Sequence, residues 1–241
     1  MSARLEAALR PPEAGTPHTR KEQLIELSVF LLLILPSMLL SLFVVRGGGI
    51  SFDLTAWAVI LRDLGLVALI MLFLRRNGEP VARIGWTREK GWREALLGIA
   101  LFVPLFIGTR LLEAALLNGG LHGPSAPAPL LQAAGGPLQS MLGVILVAVV
   151  AVAEETIFRG YLILRFRSLT SSPVAALLIS SVIFSIGHGY EGSAGVVTVG
   201  AMGAVFALVY LWRGSLIAPV TMHFLQDFIG VVALPLIMHH L

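Results

Sequence analysis

Apolar residues gather along this chain into seven runs, at residues 24–45, 54–74, 96–117, 138–166, 174–187, 195–211 and 215–234. Most reach the roughly 17–25 residues that carry a helix across the hydrocarbon of a bilayer. The first run is longer than the roughly 7–15-residue core of a signal peptide. It ends in Arg46-Gly47-Gly48-Gly49 with no Ala-x-Ala-like site, so it reads as a retained helix, with a kink expected at Pro36. Polar residues 1–23 precede it, with Pro11, Pro12, Gly15 and Pro17 as breakers, and read as a disordered cytoplasmic tail. Ser171-Ser172-Pro173 and Trp212-Arg213-Gly214 mark turns between later runs.

Charge sets an orientation for these runs. Arg75, Arg76, Arg83, Arg88, Lys90 and Arg93 crowd the second loop, which the positive-inside rule makes cytoplasmic. Residues 118–136 hold no Lys or Arg, and their one titratable side chain is His122, as expected on the translocated side, with room for a short helical piece. Arg165 and Arg167 return the chain inside, so the N-terminus is expected inside and the C-terminus outside. Pro219 and Pro235 blur the last span, which keeps six to eight spans open around a reading of about seven.

The composition agrees. Of the 241 residues, 56% are hydrophobic and only 13% charged, with a mean hydropathy of +0.87, whereas soluble domains carry about 25% charge. The expected fold is all-α, a polytopic transmembrane helical bundle whose solvent is the lipid bilayer. A net charge of +3 could suit a polyanion, but the basic residues fall in short clusters between apolar runs, so nucleic acid is not a partner. The absence of cysteine excludes disulfides, a thiol nucleophile and thiolate metal ligation.

Ionisable side chains inside apolar runs cost a few kcal/mol or more and are normally paired or functional. The fourth run contains Glu154-Glu155-Thr156-Ile157-Phe158-Arg159, the fifth closes with Phe184-Ser185-Ile186-Gly187-His188, and the seventh contains His223-Phe224-Leu225-Gln226-Asp227. With a tight turn near Ser171, Glu155 lies 16 residues before it and Gly187 lies 16 after. At about 1.5 Å per residue both sit roughly 24 Å from the turn, so Glu154, Glu155 and His188 share a level. Glu155 and Arg159 are spaced i, i+4, which favours an ion pair. Glu154 points about 100° away, toward a different neighbour. Two adjacent carboxylates in a low-dielectric site do not both ionise cheaply, so one is expected to serve as acid or base. His223 and Asp227 are again i, i+4; Asp227 could fix the imidazole tautomer or help position a water or a substrate carbonyl.

Glu154-Glu155-x-x-x-Arg159, Phe184-x-x-x-His188 and His223-x-x-x-Asp227, in this order on separate helices, resemble the three motifs of the CPBP family, the CAAX proteases and bacteriocin-processing enzymes also called Abi proteins. The resemblance covers residues 138–231. It implies an intramembrane endopeptidase in which Glu154 is the general base, His188 binds or polarises the attacking water, and His223 and Asp227 stabilise the oxyanion. It also implies that Glu155 and Arg159 form a supporting pair, while Phe184, one turn from His188, packs to orient it. An ionised Asp227 would more naturally hold His223 than donate to an oxyanion, and that alternative stays open.

The resemblance divides the chain into the tail 1–23, membrane helices over 24–137 and a catalytic core over 138–241. It implies a membrane-associated or lipidated peptide or protein substrate, and a bacterial inner-membrane location fits the short tail and compact loops. The resemblance fixes no cofactor, although the family is also described as metal-dependent. A divalent metal such as zinc, if present, would take Glu154, His188 and His223, but His-Glu-x-x-His is absent, which favours metal-free water activation.

The remaining polar residues have plainer readings. Arg62 and Asp63, near the middle of the second span, read as structural or as marks of substrate access; Arg110 and Glu113 read as snorkelling at the outer boundary. Trp57, Trp86, Trp92 and Trp212 suit the membrane interface, Gly195, Gly200 and Gly203 suit close helix packing, and His239 and His240 suit a frayed terminus. Ser193, in Glu191-Gly192-Ser193-Ala194-Gly195, lacks the preceding glycine of a rhomboid-type motif. The rival reading from another class is a proton- or ion-coupled transporter built on the same polar cluster, although no inverted repeat supports it. A silent, partner-binding relative is a third.

Overall fold

The computed structural model describes residues 19–47, 51–87, 91–124 and 136–239. The expected tail up to residue 18, Gly48, Gly49, Arg88, Lys90, the middle of the 118–136 loop with any helical piece there, and His240 lie outside the described residues.

The described residues form seven helical rods and no strand. They are α1 (Arg20–Gly47), α2 (Phe52–Arg76), α3 (Gly91–Asn118), a long fourth rod, α6 (Pro173–Ile186), α7 (Gly192–Arg213) and a seventh rod that opens with α8 (Ile217–Asp227). Each apolar run lies on one of them, although α1 begins at Arg20, inside the expected tail, and continues through Pro36 as one helix. The fourth rod is α4 (Pro137–Glu154), a π-helical segment (Glu155–Leu162) and α5 (Ile163–Thr170); the seventh passes from α8 through a second π-helical segment (Phe228–Ala233) into α9 (Leu234–His239). Five rods are long and apolar enough to cross a membrane, whereas α6 at 14 residues is shorter. The protein is an integral membrane protein built as a polytopic helical bundle.

Local chemistry sets the ends of these rods. Ser51 caps α2 by accepting from the Leu54 amide, and Ser172 caps α6 by accepting from the Ala175 amide, with Pro173 in the first turn where its missing N–H costs nothing. Pro137 opens α4 for the same reason. α7 stops at Gly214, whose φ of +65° closes the helix in the left-handed region.

Burial separates the middle of the bundle from its rim. About half of the most apolar window is buried in the fourth rod (50%) and in the rod ending in α7 (56%), against 17–22% in α2, α3 and the seventh rod. The central rods therefore face protein and the outer ones face lipid with residues such as Leu61, Leu111 and Leu138. α2 packs along α4, α3 along α8 and α6 along α7. Phe30, Tyr161, Phe184 and Phe206 are fully enclosed between them.

At the end bearing the fourth rod's arginines, Arg165 sits in a buried network of carboxylates. Arg165 is 2% exposed and donates to Glu26 from Nε (3.1 Å) and Nη2 (2.9 Å), and to Glu79 from Nη1 (3.1 Å) and Nη2 (2.6 Å). Tyr161 and Asn77 also donate to Glu26, at 2.7 and 2.8 Å. Two carboxylates thus neutralise this guanidinium and tie α1 and the segment after α2 to α5. Arg213 makes a forked pair with Glu94 at 3.0 and 2.6 Å, joining α7 to α3.

Candidate functional site

Glu155 is the most enclosed group of the site, with 0% exposure. Its Oε1 accepts from Arg159 Nη1 at 2.9 Å and from His223 Nδ1 at 2.8 Å. It opens the first π-helical segment, whose widened turn keeps Glu155 and Arg159 nearly in line. The regular helix expected across this run is therefore interrupted at the residues that carry the motif. Arg159, 1% exposed, lays its guanidinium over the rings of Phe184 and Phe206, 4.2 and 5.2 Å from their centroids, a desolvated cation–π contact. Gly203 makes the room: a Cβ there would stand 2.9 Å from Arg159 Nη2 and 3.0 Å from the Phe184 ring.

His223 holds the centre of the cluster. Its Nδ1 is engaged by Glu155, while Nε2 lies 3.4 Å from Asp227 Oδ2 and 3.7 Å from Glu154 Oε2. Glu154 and Glu155 were expected to address different neighbours. Instead both address His223, because an imidazole presents its nitrogens on opposite edges and can sit between carboxylates that diverge around a helix. Phe206 stacks on the imidazole with centroids 5.5 Å apart, and Phe184 meets its edge at 6.0 Å.

His188 follows the last turn of α6. Its Nδ1 lies 3.0 Å from the Phe184 carbonyl oxygen. A carbonyl only accepts, so Nδ1 carries the proton and Nε2 of the neutral ring keeps its lone pair. The Phe184 ring lies 4.8 Å from the imidazole, so Phe184 fixes His188 through both its ring and its backbone.

One cavity of about 860 Å³ is lined by Glu154, His188, His223 and Asp227 and, from α2, by Arg62 and Asp63. Among the described residues no ion pair joins His188 to Glu154; they share the cavity rather than a contact. Glu154 Oε2 is buried and has no hydrogen-bond partner. No three His, Asp or Glu side chains among the described residues are arranged to hold a metal ion. Glu154, His188 and His223 do not converge as the ligand set a zinc ion would need, so no step is derived through a metal.

Several residues near the cluster make contacts that their plain readings did not include. Trp86, expected at the membrane interface, donates from Nε1 to Thr156 Oγ1 at 3.1 Å, beside Glu155, because the 3₁₀ turn Val81–Ile84 folds it onto the fourth rod. Arg110 and Glu113 pair with each other at 3.2 Å and line the cavity instead of simply reaching for the interface. Ser193 accepts from the His122 amide at 2.9 Å and pins the loop after α3. Phe206 carried no sequence signal beyond its three-residue spacing from Gly203 on one helical face.

No curated protein and no solved structure gives a significant match to this chain. Residues 136–229, which span α4 to the second π-helical segment and contain all three motifs, match the family model of the type II CAAX prenyl endopeptidases, Rce1-like. Over residues 136–229 the chain is therefore similar to the Rce1-like endopeptidases, in agreement with the CPBP resemblance of its three motifs.

Proposed function

We propose that this protein is an integral-membrane endopeptidase that cleaves a membrane-associated or lipidated polypeptide with a water activated by Glu154 and His188. The observation that carries this reading is the Glu154 carboxylate: one of its oxygens is buried without a partner, on the wall of a cavity shared with His188, His223 and Asp227. Glu155, by contrast, is occupied by Arg159 and His223.

The chemistry follows from which atoms remain free. His188 Nε2 is an acceptor because Nδ1 is spent on Phe184. A water can donate one hydrogen to Glu154 and the other to His188 Nε2, which aims its lone pair at a scissile carbonyl. As the water oxygen bonds to the carbonyl carbon, its proton passes to Glu154 and the carbonyl oxygen becomes an oxyanion. With its Nδ1 proton given to Glu155, His223 can donate from Nε2 only as an imidazolium; in that state, with Asp227 and the glutamates balancing its charge, it supplies the donor that meets the developing charge. The intermediate collapses when Glu154 returns the proton to the departing amine. Arg159 acts through Glu155 and takes no part in bond making.

The tail 1–23, the helices 24–137 and the core 138–241 serve in this reading as a cytoplasmic tail, a supporting wall and the catalytic unit, in a bacterial inner membrane with the N-terminus inside. The test is cleavage of a panel of membrane peptides by protein in liposomes, comparing wild type with Glu154→Gln and His188→Asn. Loss in both variants, with folding intact, is expected; cleavage unchanged in either removes that residue from the mechanism.

A further inference from the structure

α2 places a guanidinium and a carboxylate near the middle of a membrane span. Arg62 lies ten residues after Phe52, about 15 Å along the helix, and fourteen before Arg76, about 21 Å from the other end. The side chain is too short to reach either interface, so the snorkelling that explains many membrane arginines is closed to it. Residues one apart on a helix point in different directions and do not pair as i, i+4 residues do. Arg62 nevertheless curls onto Asp63: Nε donates to Oδ1 at 2.8 Å, and Nη2 lies 2.8 Å from the same oxygen. Asp63 is 1% exposed and lines the cavity, and Arg62, whose side chain keeps 37% exposure, lines the same cavity.

The pair is not saturated. Among the described residues no acceptor engages Arg62 Nη1, and Asp63 Oδ2 is buried without a hydrogen bond. Donors left open in a low-dielectric cavity are unfavourable until an acceptor arrives. Arg110, the other guanidinium on the cavity wall, already has Glu113. Arg62, Asp63 and Glu154 line one cavity, so an occupant held by Arg62 shares that cavity with the Glu154 carboxylate. The rest of the α2 wall is Leu54, Thr55, Ala58, Val59 and Leu66, and its one hydroxyl, on Thr55, already donates to the Ser51 carbonyl at 3.0 Å.

We infer that Arg62 is a substrate-binding residue, donating from Nη1 to an acceptor oxygen of the bound polypeptide, and that Asp63 is the positioning residue that holds it on the wall shared with Glu154. This rests on the endopeptidase reading above and extends it to α2, outside the matched segment 136–229. A backbone carbonyl and a C-terminal carboxylate present the same chemistry to the guanidinium, the carboxylate in bidentate form.

Binding and cleavage test this separately, with the full chain in liposomes. The probes are a fluorescent apolar peptide of about 20 residues with a free C-terminal carboxylate, and its C-terminal amide. With Glu154→Gln as parent, Arg62→Gln is expected to weaken binding of the free acid about tenfold or more. Arg62→Lys should restore part of the loss, since it returns the charge without the fork, and Asp63→Asn should fall between. If the terminal carboxylate is the ligand, the amide binds parent weakly and Arg62→Gln adds nothing; if a backbone carbonyl is, both peptides lose equally. Equal binding of the free acid by parent and Arg62→Gln, at an unchanged melting temperature, overturns the inference, as does failure of both peptides to bind the parent. In protein with Glu154 intact, Arg62→Gln is expected to raise KM while kcat stays within about threefold. Binding that depends on Arg62, in protein that cleaves nothing, would keep the docking role and reject the endopeptidase reading.

Discussion

The imidazole of His223 and the carboxylate of Glu155 meet at 2.8 Å across 68 residues of chain, on the same oxygen that receives Arg159 at 2.9 Å. That contact differentiates two adjacent glutamates. Glu155 is buried, paired and geometrically committed; Glu154, on the cavity wall, keeps a buried oxygen with no hydrogen bond, 3.7 Å from His223 Nε2. Environment sets different tasks for neighbouring carboxylates in this way wherever acid–base chemistry is done by a pair.

The two glutamates should respond oppositely to substitution. Glu155→Ala strands the buried Arg159 guanidinium and is expected to cost about 3–5 kcal/mol of stability. Glu154→Gln is expected to leave the melting temperature nearly unchanged while lowering kcat about 10²–10⁴-fold. Thermal melts in detergent beside peptide cleavage in liposomes separate the two; equal destabilisation by both would remove the distinction drawn between them.

Gly203 is the clearance for Arg159 and Phe184. Adding even a methyl group at 2.9–3.0 Å from both forces one of them to move, so Gly203→Val is expected to destabilise by about 1–3 kcal/mol through overpacking. Gly65, whose Cβ would meet nothing within 4 Å, is the control. Denaturation of Gly203→Val and Gly65→Ala side by side reads the difference, and equal stability of the two would show that the Arg159 pocket is looser than described.

Arg165 is neutralised by Glu26 and Glu79, so its removal leaves two carboxylates facing one another. Arg165→Met is expected to destabilise by about 3–5 kcal/mol, and Arg165→Lys by less because charge remains but the forked geometry is lost. Since this network is remote from the cavity-lining residues, the fraction that folds should cleave at close to the wild-type rate. A selective loss of kcat with normal folding would contradict that separation.

Activity is expected to survive strong chelators. No three metal-ligating side chains are arranged around a common point among the described residues, and the proposed water activation uses only Glu154 and His188. Cleavage assayed before and after dialysis against 1,10-phenanthroline checks this. Loss that zinc restores would require Glu154, His188 and His223 to rearrange into a ligand set.

The apolar runs alone specified that the chain is a membrane helix bundle, because lipid imposes backbone self-satisfaction and helix length on any segment that crosses it. Helical spacing also gave the Glu155–Arg159 and His223–Asp227 pairs, which are local contacts one turn apart. The depth argument placed Glu154, Glu155 and His188 at one level, and Glu154 and His188 line one cavity, together with His223. Local spacing is silent on relations between helices. That His223 lies between two glutamates, that Phe206 stacks on it from α7, that Arg165 is buried among carboxylates, and that Arg62 lines the cavity all depend on how the rods rotate and pack. The π-helical turns belong with these: the rotation they introduce arises where the fourth rod meets its neighbours, and no periodicity in the apolar pattern announces it.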